Sequence, residues 1–245
     1  MVPFLAAAFF LTAILYASVG FGGGSTYSAL LVLAGLDYRL LPILSLCCNI
    51  LVVAGGSWRF GRAGITPWRS ALAVTAIAAP MALLGGLMPI GRDAFLIVLG
   101  ASLIFTGLTL LLPRKEGASG QPMAIARYMP LIAAPLGFLA GLVGIGGGIF
   151  LAPLLHLVRW NSARTIAATA SLFILVNSMF GLAGQLLKRG PDMFGAALSG
   201  GLPLLLAVVI GGQIGSVLAI KFLPQNLIRW LTAALTIWVG ARLLL

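Results

Sequence analysis

Apolar residues fill eight stretches of this chain almost without interruption, at 2–19, 40–58, 68–90, 93–112, 129–143, 163–187, 194–222 and 226–245. Their length and lack of strict alternation predict membrane-spanning helices rather than strands. Two shorter apolar pieces, 25–36 and 149–158, are too short to cross a hydrocarbon core roughly 30 Å thick at 1.5 Å per residue. Each follows a run of glycine, Val19-Gly20-Phe21-Gly22-Gly23-Gly24 in one case and Val143-Gly144-Ile145-Gly146-Gly147-Gly148 in the other. The expectation is a discontinuous helix at each place, the short piece completing the span before it. Ser25 and Thr26 stand where caps for the first short piece are wanted.

The two breaks belong to a duplication. Gly20 and Gly144 are 124 residues apart, and Gly64 and Gly190, like Gly85-Gly86 and Gly211-Gly212, are 126 apart. The polar stretch from Pro113 to Arg127 divides the halves, giving a first membrane repeat at 1–112, a linker at 113–128 and a second repeat at 129–245. Each repeat reads as one Gly-broken helix plus three spans, an all-α polytopic membrane fold of two related bundles. Glycine interruptions at matching places in duplicated halves point to a transporter binding site between them. The other reading is that small residues here only let helices approach closely.

Two topologies follow. If each broken helix crosses once, there are eight crossings, and Arg59, Arg62, Arg69, Arg114, Lys115, Arg127, Lys188 and Arg189 share the cytoplasmic side. If each break is a hairpin and the short piece crosses separately, there are ten segments in inverted halves. Arg159, Arg164, Lys221 and Arg229 then move inside, and Lys188 and Arg189 outside. The shortness of 25–36 and 149–158 favours eight.

Composition agrees with the pattern: 61% of the 245 residues are hydrophobic, 8% are charged, and the mean hydropathy is +1.14. A soluble domain of this length has nowhere to hide so much apolar surface. The net charge of +11 sits between spans, as the positive-inside rule demands, so it implies a lipid bilayer and not nucleic acid as partner. The first apolar run has no basic segment before it and reads as a retained helix. Cys47 and Cys48, adjacent in an apolar run, read as reduced packing residues.

The candidate chemistry is that of an anion site. Backbone N–H groups at a half-helix N-terminus offer donors and a positive dipole end without a full charge. Gly22, Gly23, Gly24 and Ser25 supply one such end and Gly146, Gly147 and Gly148 the other. Thr26, Asn49, Thr169, Ser171, Asn177 and Gln213 are the side chains available to complete the shell. Each has a plainer role open to it: Ser and Thr bond their own helix, and Asn and Gln bridge helices. His156 reads as an interfacial residue, and Arg164 as a snorkelling one. A valine at Gly147 is expected to intrude on the anion while leaving membrane insertion intact. No Ser/His/Asp set, His-Glu-x-x-His stretch, Cys-x-x-Cys pair or phosphate loop occurs, so the reading is not an enzyme and needs no cofactor or metal. A channel-like pore and a non-transporting scaffold subunit are the alternative functions, and a homodimer stays open.

Gly144-Ile145-Gly146-Gly147-Gly148-Ile149-Phe150-Leu151-Ala152-Pro153-Leu154-Leu155 resembles the signature of the sulfite exporter TauE/SafE family, also called the 4-toluene sulfonate uptake permeases. Arg164 to Ser171, the span through Asn177 and Gly181, Lys188-Arg189-Gly190 and Gly211-Gly212-Gln213-Ile214-Gly215 continue the likeness over the whole chain. The family often has Gly-Thr-Ser where Ala168-Thr169-Ala170-Ser171 stands here, and the first half lacks the proline that follows the second glycine run. The resemblance implies an inner-membrane permease for small anions such as sulfite, sulfonates or sulfoacetate.

All four acidic residues, Asp37, Asp93, Glu116 and Asp192, lie at span ends or in the linker. A carrier built on neutral donors has no use for an intramembrane carboxylate. Changing each singly to Asn or Gln is expected to leave anion affinity within about twofold, measured by ligand-induced thermal stabilisation. Loss of binding in a folded variant would contradict this.

Overall fold

The computed structural model describes residues 2–18, 20–111, 123–218 and 225–245. Val19, most of the linker including Arg114, Lys115 and Glu116, and Lys221 lie outside the described residues. Among the described residues ten α-helices follow one another: α1 (Val2–Ser18), α2 (Gly24–Leu33), α3 (Leu41–Arg62), α4 (Trp68–Leu87), α5 (Arg92–Leu111), α6 (Met129–Val143), α7 (Gly148–Leu157), α8 (Ala163–Arg189), α9 (Pro191–Leu218) and α10 (Gln225–Leu244). A short 3-10 turn, Ala124–Tyr128, leads into α6. Six of these helices are long and apolar enough to cross a membrane, counting α6 together with that turn. The molecule is an all-helical multi-pass membrane protein, as the apolar pattern predicts.

Helix ends follow local chemistry. Ser162 caps α8, its Oγ accepting from the Thr165 N–H at 3.3 Å. Proline stands in the first turn of α3 and of α6, where no helical N–H is lost. Interior prolines in α4, α6, α7 and α9 are tolerated at membrane depth because neighbouring helices resatisfy the freed backbone.

The short helices do not extend the spans before them; they double back. Phe9 on α1 stacks on Tyr27 of α2 with ring centroids 4.8 Å apart, and the Tyr16 hydroxyl bonds Thr26 Oγ1 at 2.7 Å. A continuous helix would separate Phe9 and Tyr27 by roughly 27 Å. In the second half, a Cβ on Gly147 would lie 3.4 Å from the Leu136 carbonyl oxygen, well back along α6. The expectation of one broken helix crossing once in each half is therefore corrected. Shortness did not decide it, because a re-entrant helix need not span.

Packing directions then establish the inversion. Gly211 and Gly215 of α9 meet Phe10 and Ile14 of α1, so these helices run parallel; Leu44 and Val52 of α3 meet Gly201 and Gly212 in the same sense. Gly137 and Gly141 of α6 likewise run parallel to Ala78 and Ala82 of α4. By contrast α3 and α8 are antiparallel, Leu46 lying near Gly181 while Ser57 pairs with Ser171. The first helices of the two halves thus point in opposite directions. The halves are inverted, as in the ten-segment alternative, but the short helices re-enter instead of crossing; eight crossings do not hold.

The halves also exchange helices. α4 lies against α6 and α8 of the second half, α9 lies against α1 and α3 of the first, and α5 pairs with α10. Glycines make these crossings close: a Cβ on Gly85, Gly137 or Gly141 would collide with backbone of the facing helix.

One face carries Arg59, Arg62, Arg69, Arg127, Arg159 and Arg164 and, among the described residues, no acidic group. The other carries Arg39, Arg92, Lys188, Arg189 and Arg242 beside Asp37, Asp93 and Asp192. The first face is the cytoplasmic one by the positive-inside rule. With Cys47 and Cys48 replaced by alanine, new cysteines in Ala63→Cys and Asn161→Cys variants are expected to react with an impermeant maleimide from the cytoplasmic side. An Asp192→Cys variant is expected to react from the opposite side. Labelling of Ala63→Cys and Asn161→Cys from opposite sides would restore the eight-crossing scheme.

Candidate functional site

Each glycine run makes the tight reversal between a span and a short helix. Gly23 and Gly147, the residues before α2 and α7, have φ of 83° and 77°. Only glycine adopts this conformation without strain. The reversal leaves the first N–H groups of α2 and α7 without helical acceptors. Neither helix has a side-chain cap.

The two reversals meet around one side chain. Asn49, in the middle of α3 and fully buried, is packed so closely that a Cβ on Gly22 or Gly24 would collide with its amide. A Cβ on Gly146 would lie 2.6 Å from Asn49 Nδ2 and 2.9 Å from Ser178 Oγ. Ile174 of α8 completes the junction: it approaches within 3.2 Å of a Cβ on Gly22 and 2.9 Å of one on Gly146, and would collide with one on Gly148. Glycine runs 124 residues apart in sequence thus share a single buried junction between α3 and α8.

Polar atoms at and beside that junction have no hydrogen-bond partner. Both amide atoms of Asn49 and the Ser178 hydroxyl lie at the junction itself; the buried hydroxyls of Ser25, Tyr27 and Ser28 belong to α2, and the buried Asn177 amide to α8. Each such group costs about 1–3 kcal/mol of folding free energy. Buried groups of this kind call for a partner that the chain does not supply.

The other sequence candidates divide. Thr26 is engaged by Tyr16 at 2.7 Å, and Thr169 donates to the Thr165 carbonyl of its own helix at 2.9 Å. Ser171 pairs with Ser57 at 2.9 Å, tying α8 to α3. Asn177 stands one helical turn beyond Ile174. Gln213 is not brought to the junction. It is exposed on α9, beside Arg59, where a Cβ on Gly55 would lie 3.1 Å from the Arg59 guanidinium and 3.3 Å from Gln213 Nε2. The valine expectation at Gly147 also changes. Its Cβ would point at Phe173 (2.9 Å) and Ala140 (3.0 Å), not at Asn49, so the substitution strains the fold itself.

Sequence reasoning missed Ile174, Ser178, Ser57 and Gln185. The signal was present as a helical stripe, Ser171, Ile174, Ser178, Gly181 and Gln185, all buried on the face of α8 turned inward.

Helix contacts flank the junction on both sides. Toward the cytoplasmic end Ser57 and Ser171 join α3 to α8, and beyond them Arg59 is exposed and donates to Ser216 Oγ. At the opposite end Gln185 is fully buried, its Nε2 donating to the Gly141 carbonyl at 3.0 Å, and Gly181 would bring a Cβ within 3.0 Å of Gly141 Cα. That end is closed by helix contact.

Asn49→Leu, nearly isosteric, removes two unsatisfied atoms. It is expected to stabilise the ligand-free protein by about 1–3 kcal/mol in detergent unfolding. A destabilised variant would mean that Asn49 has a structural bond.

Comparison with known proteins agrees with this architecture. A family model described as "Sulfite exporter TauE/SafE" matches residues 5–243. A protein of Sinorhizobium fredii described as "Probable membrane transporter protein y4hK" is 31% identical over 246 residues, covering 98% of this chain and 97% of its own. No solved structure gives a significant match.

Proposed function

The chain belongs to the sulfite exporter TauE/SafE family, and on that premise we propose that it is a secondary transporter holding a small sulfur-containing or carboxylate anion between its inverted halves. The observation that carries the reading is the buried, unpartnered Asn49 amide at the meeting of two uncapped helix N-termini. An anion leaving water must find replacement donors, or its desolvation is prohibitive. Two helix N-termini, the Asn49 Nδ2 and the Ser25 and Ser178 hydroxyls are such donors. They carry no full charge that would hold the anion too tightly to release.

The enclosure of the junction favours a carrier over a pore. A pore needs a continuous path, whereas a carrier closes around its centre. The Ser57–Ser171 pair on one side and Gln185 on the other fit the second description. Arg59 and its neighbours give the cytoplasmic side a positive field that attracts anions.

In proteoliposomes, uptake of a radiolabelled sulfonate is expected to saturate and to show counterflow. Asn49→Leu is expected to lower its initial rate at least tenfold while protein level holds. Unsaturable conductance would indicate a pore, and no flux with any sulfonate, sulfite or carboxylate would indicate a scaffold.

A further inference from the structure

Asn49 and Ile174 occupy matching places in the two inverted halves. Asn49 stands against Gly22 and Gly24 of its own reversal and Gly146 of the other. Ile174 stands against Gly146 and Gly148 of its own and Gly22 of the other. The fold is symmetric here, but the chemistry is not.

The short helices repeat the contrast. α2 begins Gly24-Ser25-Thr26-Tyr27-Ser28, and α7 begins Gly148-Ile149-Phe150-Leu151-Ala152. Ser25, Tyr27 and Ser28 carry buried hydroxyls without partners, while the matching residues of α7 are buried and apolar. Ile174 sets an apolar side chain against the start of α7, whereas Asn49 sets an amide without a partner against the start of α2.

Resting on the anion reading above, we infer that the site takes its substrate in one orientation and that Ile174 is a specificity-determining residue. The charged head lies at the α2 N-terminus with Asn49 and Ser25. An apolar substituent lies toward Ile174. The ligand class is therefore a monoanion bearing a short apolar group, not a bare inorganic oxyanion. A bare oxyanion would leave part of its surface against Ile174, with no donor to replace the water it lost there. Ser178 is the one unpartnered polar group of the junction on the Ile174 side that touches the second reversal, and it lies on the Gly146 edge.

The test is ligand-induced stabilisation of the purified full chain with sulfite, nitrate, methanesulfonate, propanesulfonate and butyrate. Wild type is expected to bind propanesulfonate at least tenfold more tightly than sulfite or nitrate. Ile174→Asn is expected to reduce that ratio at least fivefold. Ile174→Ala, which leaves space and keeps an apolar lining, is expected to shift the optimum toward a longer chain, and it carries the test should the asparagine variant not fold. Sulfite binding as tightly as propanesulfonate, or ratios within twofold of wild type in the variants that fold, would overturn the role of Ile174 and leave the anion reading standing. Stabilisation by none of the five would overturn both.

Discussion

A helix that begins inside a bilayer brings unpaired N–H groups to a depth where no water can satisfy them, and this chain does so twice at one point. The constraint organises everything near it. The glycine reversals at Gly23 and Gly147 are needed to make the helices begin there, with positive φ that other residues resist. The central helices α3 and α8 must be long enough to bury the junction at mid-span, and they are the helices that supply Asn49, Ile174 and Ser178. Lipid-exposed backbone of this kind does not occur in membranes, so the reversals have to be enclosed by protein.

Enclosure is achieved by interlacing the halves. α4 leaves its own repeat to cover α6 and α8, and α9 does the reverse against α1 and α3. Lipid provides no hydrophobic drive for helices to associate, so these crossings rely on close contact. Gly85, Gly137, Gly141, Gly211 and Gly215 supply it by removing side chains where backbones touch. Among the described residues, buried polar bonds join helices at Tyr16–Thr26, at Ser45 to the Gly24 carbonyl, at Ser57–Ser171 and at the Gln185 contacts with α6, the last two lying on opposite sides of the junction.

Those last two contacts flank the junction. The Ser57–Ser171 pair ties α3 to α8 toward the cytoplasmic end, and Gln185 bonds backbone carbonyls of α6 toward the other. The junction is thus enclosed by helix contact on both sides, with Arg59 exposed beyond the Ser57–Ser171 pair.

The amino-acid pattern by itself determined that the chain is helical and membrane-spanning, that it is duplicated, and that two glycine runs mark its centre. Each of these follows from local quantities: run length against bilayer thickness, and glycine where the backbone must turn. Gly22, Gly24, Gly146, Gly148, Ser25 and Asn49 were legible as candidates for the same reason. Tertiary structure decided the rest. A ten-residue apolar segment is equally consistent with continuing a span or returning along it, and only tertiary contacts such as the Phe9–Tyr27 stack distinguish the two. Thr26, Thr169 and Ser171 found protein partners and Gln213 lay elsewhere, because a side chain's partner depends on which helix faces it. Ile174 carried no polar signal at all; its importance comes from standing opposite Asn49 across an inverted pair of helices, a relation that exists only once the chain is folded.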